Sequence, residues 1–370
     1  MRRPALLLMG SGMTCLLALA LPAASGAVTT APQISGSLLG VSCTSATSCV
    51  AVGVNYAKTQ KTEQPISESW NGSTWTFHSP STQQNSVLNA VSCWSNGNCV
   101  AVGDVGKSGL AETWNGSTWK TMPTPPTPKG QQMIQLAAVT CLTSSYCIAA
   151  GYYWHTNFHG ALAEKWNGKS WTVLPVPTPI GGTQSHFYGL SCVTTSGCMA
   201  VGSFELGTGS WPVYAAWWNG KSWTNVLPPG GASQTPLEGV SCASATMCMA
   251  INQYLGTGSG GMLWNGHTWS LQPSKVPHPP APEGAMAMSC RSATFCMEIG
   301  GPPLADLWNG STWTSPWYFP TPGGGLTDPV GLSCTSTTSC MAVGADESSN
   351  QTSTTLAEYF NGKTWTVESS

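Results

Sequence analysis

Fourteen of the fifteen cysteines fall into seven C-x5-C pairs: Cys43 with Cys49, Cys93 with Cys99, Cys141 with Cys147, Cys192 with Cys198, Cys242 with Cys248, Cys290 with Cys296 and Cys334 with Cys340. Thiols so arranged hold either a metal or each other. A closed zinc site takes four nitrogen or sulfur donors, and no pair has a nearby histidine or a second pair to complete one. The even set at one constant spacing therefore predicts seven local disulfides, each closing a short hairpin. Loop entropy gives about 2 kcal/mol for each ring of this size. No metal and no other cofactor is expected.

Carboxylates come next, because glycoside cleavage needs two of them at a defined separation. Glu68, Glu112, Glu164, Asp306 and Glu358 each stand two residues before a Trp or Phe of a recurring phrase. Five copies of one position predict a repeated structural role, such as a hydrogen bond to a neighbouring unit, and not one catalytic pair. Glu298 is singular, interrupting a column that is otherwise alanine (Ala51, Ala101, Ala149, Ala200, Ala250, Ala342). It is the one weak catalytic candidate, as an acid or base with a raised pKa. The expected reading is an ion pair with Arg291 of the same hairpin, since a buried acid needs a partner.

His155 and His159 are four apart but on a loop, where that spacing does not put both on one side, and Glu164 is the nearest acid. They are expected to be structural or exposed. Asn71, Asn115 and Asn309 fit N-x-S/T but sit in tight turns, so they are read as turn residues. No glycine-rich phosphate loop follows a strand and opens a helix, and no Ser-His-acid set stands out. On this reading the chain is more a binder than an enzyme.

The elements that must position these residues follow from the cysteine register. First cysteines recur every 44 to 51 residues, the period of a propeller blade of four strands. Strand one ends at the leading cysteine. Three positions before it the residue is always Gly or Ala, and just before it always Ser or Thr. Small residues at alternate positions suit the innermost strand. Strand two is the "CVAVG" type. Strands three and four are joined by W-N-G-x-x-W, as in Trp166–Trp171, where Asn-Gly signals a tight hairpin because both residues tolerate positive φ. The chain is read as all-β: a seven-bladed β-propeller over 38–370, about four antiparallel strands and one disulfide per blade. Closure by side-by-side packing is expected, with Ala31–Ser35 free to add an outer strand.

Turns one-to-two and three-to-four share one face and never change length. The opposite face varies: from the strand-two glycine to the strand-three tryptophan is 17 residues in unit one, 11 in unit two and 8 in unit six. On that variable face lie Tyr56, Tyr152, Tyr153, Trp154, Trp211, Tyr254, Trp317 and Tyr318. Rings displayed over a rigid scaffold stack on sugars or anchor a protein partner. Tyr152, Tyr153, Trp154, His155, Trp211 and Trp317 are the ligand-binding candidates, with "YYWHTNFHG" the first choice of loop.

The W-N-G-x-x-W hairpin, as in Trp114–Trp119, resembles the W-D-G-x-x-W phrase of a family of seven-bladed bacterial lectins, which implies simple-sugar binding in grooves between blades. Asn replaces Asp throughout, Phe360 replaces the first Trp in unit seven, and the match covers about a quarter of each blade. The full C-x5-C plus W-N-G unit is similar to repeats in secreted, largely uncharacterised bacterial proteins. The Asp-box of sialidases does not match: aligning Gly72 and Trp75 puts Trp70 where the Asp belongs. Sialidase chemistry also needs three arginines on the substrate carboxylate, and Arg291 alone follows Arg3.

Met1–Ala27 reads as a secretory signal peptide: Arg2-Arg3, an apolar run from Ala5 to Leu21, then small residues at Ser25 and Ala27. A lipid anchor through Cys15 is the lesser alternative, because Met13-Thr14 stand where small residues are wanted. Residues 28–37 form a short lead-in. Charged residues are 8% of the chain and the net charge is −2, which excludes an electrostatic grip on nucleic acid or an acidic membrane. The sequence thus predicts a secreted, monomeric binding module with no membrane insertion. Its expected ligand is a carbohydrate or cell-surface polymer; a protein-interaction scaffold is the alternative, and a glycan-acting hydrolase or lyase the third reading.

Overall fold

Small residues and glycines at fixed distances from each cysteine decide how the strands meet. In the computed structural model, every strand one is followed along the chain by strands two, three and four of the same antiparallel sheet, giving seven four-stranded sheets. The sheets span 37–78, 86–121, 133–174, 182–225, 237–273, 285–318 and 326–368. The structure describes residues 34–56, 63–80, 85–123, 131–156, 158–207, 209–228, 236–252, 260–273, 285–300, 304–321, 326–347 and 353–368. The predicted signal peptide lies outside them, as does Tyr254.

First strands of successive blades contact one another all the way round, including blade one with blade seven, so they form the inner ring of a seven-bladed propeller. The Gly/Ala column sits where they converge. A Cβ on Gly40 would come within 3.1 Å of the Ala90 backbone, and one on Gly331 within 3.2 Å of Gly40. Two residues earlier the inner strand pairs with the strand-two glycine in six blades and with Asn252 in blade five, and there the close approach is within the blade. A Cβ on Gly103 would lie 1.9 Å from the Val87 carbonyl oxygen, and one on Gly202 2.1 Å from that of His186. Between these two points every inner strand carries a bulge, whose extra residues include Asn89, Tyr188 and Glu238. A bulge bends the strand and re-aims a side chain, and these sit on the innermost strands.

The Ser/Thr column has its own role. In six of seven blades its serine hydroxyl accepts a hydrogen bond from the N–H of the next blade's leading cysteine, as from Ser42 to Cys93 (3.0 Å) and from Ser92 to Cys141 (2.8 Å). Thr140 instead donates to the Leu190 carbonyl.

All seven predicted disulfides are present, each joining directly paired residues of strands one and two. Cys43 is bonded to Cys49 in blade one, Cys93 to Cys99 in blade two and Cys141 to Cys147 in blade three. Blades four and five carry Cys192 bonded to Cys198 and Cys242 bonded to Cys248. Cys290 is bonded to Cys296 in blade six, and Cys334 to Cys340 in blade seven. These fourteen cysteines are staples of the fold and not ligand-binding groups. The second cysteine of each pair is the more deeply placed: Cys99, Cys147, Cys198, Cys248 and Cys296 are wholly buried, and Cys49 and Cys340 nearly so. Each also pairs with the aromatic that ends strand three, Cys49 with Trp70 and Cys340 with Phe360.

That strand-three tryptophan docks onto the disulfide turn: the Trp70 indole N–H donates to the Ala46 carbonyl and that of Trp308 to the Ala293 carbonyl. Its ring meets the strand-four tryptophan at 5.6 Å in the Trp70–Trp75 pair. In the W-N-G-x-x-W turn only the glycine takes positive φ, 98° at Gly72 and 92° at Gly168. The asparagine acts through its side chain, Asn71 Oδ1 accepting from the N–H groups of Ser73 and Thr74 at 2.9 Å. Ring closure is by packing, as expected, and residues 31–33 of the expected outer strand lie outside the described residues. Gly36 donates to the Ser353 carbonyl and Ile34 accepts from the Thr355 N–H, latching the lead-in to strand three of blade seven.

Candidate functional site

The five repeated carboxylates are buried in the sheets: Glu68, Glu112, Glu164, Asp306 and Glu358 are all at most 3% exposed. Each pairs across the ladder with a strand-two residue, Glu68 with Ala51, and Ala51 lies in the apolar junction of blades seven and one with Leu38, Ile66, Met341 and Val343. Burial pushes the Glu68 carboxyl up to about 7, opposed by the Thr355 hydroxyl of blade seven. Burial alone raises Glu164 to about 7, while Glu358 reaches about 8 with the Asp346 charge adding to it. A carboxylic acid that takes up its proton more readily there avoids burying a charge. These are structural groups, as the repetition implies.

Glu298 is also buried, at 2% exposure, but the expected partner is elsewhere. Arg291 is exposed at the disulfide turn and forms no ion pair among the described residues. The physical reason is register. Glu298 pairs with Met288 on one side and Asp306 on the other, deep in the blade, whereas Arg291 follows Cys290 at the edge. Blade six thus carries a longer acid on strand two and a shorter one on strand three, where other acid-bearing blades combine Ala with Glu.

The junctions entering blades four and five lack the acid, with Ala216 and Met262 in its place. At the first of these, on the variable face, side chains of a different kind gather. Strand two of blade three (Tyr146–His155) runs out past Gly151 and pairs with strand three (Phe158–Trp166), while strand one of blade four is extended to Gly182–Thr194. Alternation along these strands turns Tyr152 and Trp154 toward blade four and Tyr153 toward blade two.

His186 is the centre of the group and is 8% exposed. Its Nε2 lies 3.1 Å from His159 Nδ1 and its Nδ1 3.0 Å from the Tyr188 hydroxyl. Trp211 stacks flat on its ring (5.3 Å, 17°), and Tyr152 lies against it at 4.4 Å. Trp154 stands at right angles to both Tyr152 and His159. The Tyr152 hydroxyl donates to the Gln135 side chain, and Ser185 accepts from the Ala161 N–H at 3.0 Å, tying the two blades together. Burial, and then the neighbouring His159, hold His186 down at about 4. It is neutral at pH 7. Burial likewise lowers His159, with Glu205 opposing.

Of the residues singled out from sequence, Tyr152, Trp154 and Trp211 therefore come together in one cluster. Tyr153 packs into the apolar junction between blades two and three, its ring filling the space beside Gly160. His155 is exposed at the strand end. Trp317 lies on strand four of blade six, and its side chain is outside the described residues, as is that of Tyr56. Sequence reasoning missed His186, Tyr188 and Glu238. For the first two a signal existed: "SHFYG" places a histidine and a tyrosine where no other unit has either. No group of three or more metal-binding side chains occurs among the described residues. The cluster offers indole, imidazole and phenol groups for binding, with the Tyr188 hydroxyl 3.0 Å from His186 Nδ1.

No known protein family matches the sequence, and no curated protein matches it. Solved structures do match along most of their length. YCF48 bound to D1 peptide superimposes with a TM-score of 0.58 at 14% identity, covering 89% of this chain and 93% of that one. YCF48 from Cyanidioschyzon merolae gives 0.57 at 14%, covering 90% and 97%. The structure of U3-55K gives 0.58 at 10%, covering 83% and 88%. At these identities the likeness establishes the fold.

Proposed function

We propose that this chain is an exported binding module that captures a segment of a protein partner at the blade three/four mouth of its variable face. The observation that carries the reading is the His186-centred cluster, the one place among the described residues where a repeated junction gives way to imidazole, phenol and indole. Sugar recognition, the leading expectation from sequence, is served by open ring faces. Here Trp211 spends one face on His186, and Trp154 stands at right angles to both Tyr152 and His159, so these rings are committed to one another. Imidazole, phenol and indole held between two rigid sheets offer hydrogen-bonding atoms as well as ring surface, which suits side chains of an extended segment. A peptide complex is known for one propeller of similar fold. Seven disulfides support an oxidising, extracellular setting, in line with the expected signal peptide. No helix among the described residues is long and apolar enough to cross a membrane.

Peptide-display selection and a glycan array, run in parallel on the immobilised full chain, test this. Selected peptides are expected to bind at least tenfold more weakly to Trp211→Ala and equally well to Lys169→Ala on the opposite face. Glycan hits that Trp211→Ala abolishes, with no peptide enriched, would return the reading to carbohydrate.

A further inference from the structure

The bulged residues of the inner ring divide by chemistry. Leu39, Met286 and Val330, from consecutive blades six, seven and one, are apolar. Asn89, Tyr188 and Glu238 occupy the opposite arc, with the small Ala137 of blade three among them. Glu238 stands beside Tyr188 of the preceding blade, its carbonyl oxygen 3.2 Å from where Gly189 would carry a Cβ. Asp104, at the end of strand two of blade two, accepts from the Asn89 side chain at 3.3 Å. The charges of Glu238 and Asp104 both reach the Tyr152 phenol, and that of Glu238 also reaches Tyr188. Tyr152 and Tyr188 stand edge to face at 6.1 Å. Two half-buried carboxylates, from blades two and five, thus flank the Tyr152 and Tyr188 rings next to the His186 cluster.

Neither carboxylate meets a cation among the described residues, and His186, neutral at pH 7, supplies none. Charge is sorted over the whole disc in the same sense. Lys120, Lys165, Lys169, Lys221, Arg291 and Lys363 lie at or beside the turns of the disulfide face, where the described residues hold no carboxylate. Glu63, Asp104, Glu205, Glu238 and Glu347 lie toward the variable face, where Lys107 is the one described cation. Lys58, Lys61, Lys129 and Lys275 fall outside the described residues.

We propose that this mouth receives an alkylammonium or guanidinium group, with Glu238 and Asp104 supplying the counter-charge and Tyr152 and Tyr188 the flanking rings. The inference deepens the binding-module reading and shares its site. Desolvation at the inner ring pushes the Glu238 carboxyl up to about 7, so the site holds its charge at a cost that a cation removes. A cation gains both a charge-assisted hydrogen bond and ring contact. A neutral group gains neither, and an anion is repelled. The group can come from a lysine or arginine side chain of a protein segment or from a free amine.

Titration of the full chain with N-acetyl-lysine amide, N-acetyl-arginine amide, 1,4-diaminobutane and neutral N-acetyl-glutamine amide tests it, read by NMR on the Tyr152 and Tyr188 rings. The cationic probes are expected to shift both rings saturably, at least tenfold more tightly than the glutamine probe. Glu238→Gln and Asp104→Asn, both near-isosteric, should each weaken them fivefold or more, with the melting temperature showing the fold intact. Preference for the amino-acid amides over the diamine would assign the source to protein; the reverse would assign it to a free amine. Equal response to the neutral probe, no effect of Glu238→Gln, or no ring shift at ~20 mM, enough to saturate a millimolar site, would overturn the proposal. Peptides that bind through Trp211 without needing Lys or Arg would sink the cation site and leave the module reading standing. Diamine binding without any selected peptide would do the opposite.

Discussion

The Ser333 hydroxyl accepts a hydrogen bond from the Cys43 N–H at 3.0 Å, joining residues 290 apart in the chain and closing the inner ring. The bond is the same one that Ser241 makes to Cys290 and Ser289 to Cys334. The closing junction is therefore built like an internal one. A neutral hydrogen bond of this kind contributes about 1 kcal/mol net. Ser333→Ala and Ser241→Ala should each lower stability by about that amount in urea unfolding. A much larger loss at Ser333 alone would mean that closure depends on it in a way the repeated geometry does not imply.

The strand-two glycines should be far less tolerant. Gly103→Ala places a methyl 1.9 Å from the Val87 carbonyl oxygen, and both atoms are held by the ladder between the first two strands. Backbone must move, so the expected loss is about 3 kcal/mol or more, in the range of overpacked cores. Gly106→Ala is the control: its Cβ meets nothing within 4 Å, and its positive φ of 59° costs only a modest amount. Thermal unfolding of the two variants distinguishes close approach from loss of backbone freedom.

These two sets of positions show what was legible in sequence. Period, cysteine spacing and the small-residue column sufficed for blade number, disulfide pairing and the inner strand, because every blade solves the same packing problem with the same residues. The reasons behind some columns were not legible. The serine before each cysteine reads as polar decoration until the neighbouring blade's N–H is seen 3.0 Å away. The site was half legible. Tyr152, Trp154 and Trp211 stand out by type, but Tyr153 differs from Tyr152 only in strand parity, and parity sends it into the core. His186 and Glu238 were passed over because they sit on an inner strand assumed to be structural. The bulge that re-aims Glu238 leaves no mark in the sequence, whereas His186 pairs regularly with Ser203.

The buried glutamates make stability pH-dependent in a stated direction. Glu68 and Glu164 titrate at about 7 and Glu358 at about 8 when folded, above their unfolded value near 4.5. The folded state binds more protons between those limits. Their contribution is full below pH 4.5 and is lost as pH rises to about 8. His186 acts oppositely: with a folded value of about 4 against 6.5 unfolded, it costs stability as pH falls below 6.5. Three glutamates outweigh one histidine over most of that window. The melting temperature should be higher at about pH 5.5 than at about pH 8, and Glu358→Gln should flatten the slope. A melting temperature that rises across that interval would mean that these carboxyls are ionised in the fold.

The disulfides should behave as seven independent staples. Each ring spans six positions, so Cys242→Ser with Cys248→Ser is expected to cost about 2 kcal/mol by loop entropy and to leave the other six bridges paired as before. Non-reducing peptide mapping of wild type and variant checks the pairing, and any inter-blade cystine in either sample would contradict the local hairpin closure. The removed bridge also anchors strand three, whose Trp264 pairs with Cys248. Its melting should be felt in the Trp264–Trp269 pair before the opposite side of the ring.

His186 offers the most direct test of the cluster itself. Two independent causes hold it near 4: burial, including the flat cover of Trp211, and the neighbouring His159. Removing either should raise it. Trp211→Ala readmits water to one ring face and should move the titration toward the ordinary 6.5. His159→Gln removes the like charge while keeping a hydrogen-bonding side chain, and its effect should be smaller because the charge is the lesser cause. Imidazole NMR titrations of the three proteins give the order directly. If His159→Gln shifted His186 more than Trp211→Ala did, charge would dominate over burial, and the cluster would be a wetter and more open surface than the stacked geometry describes.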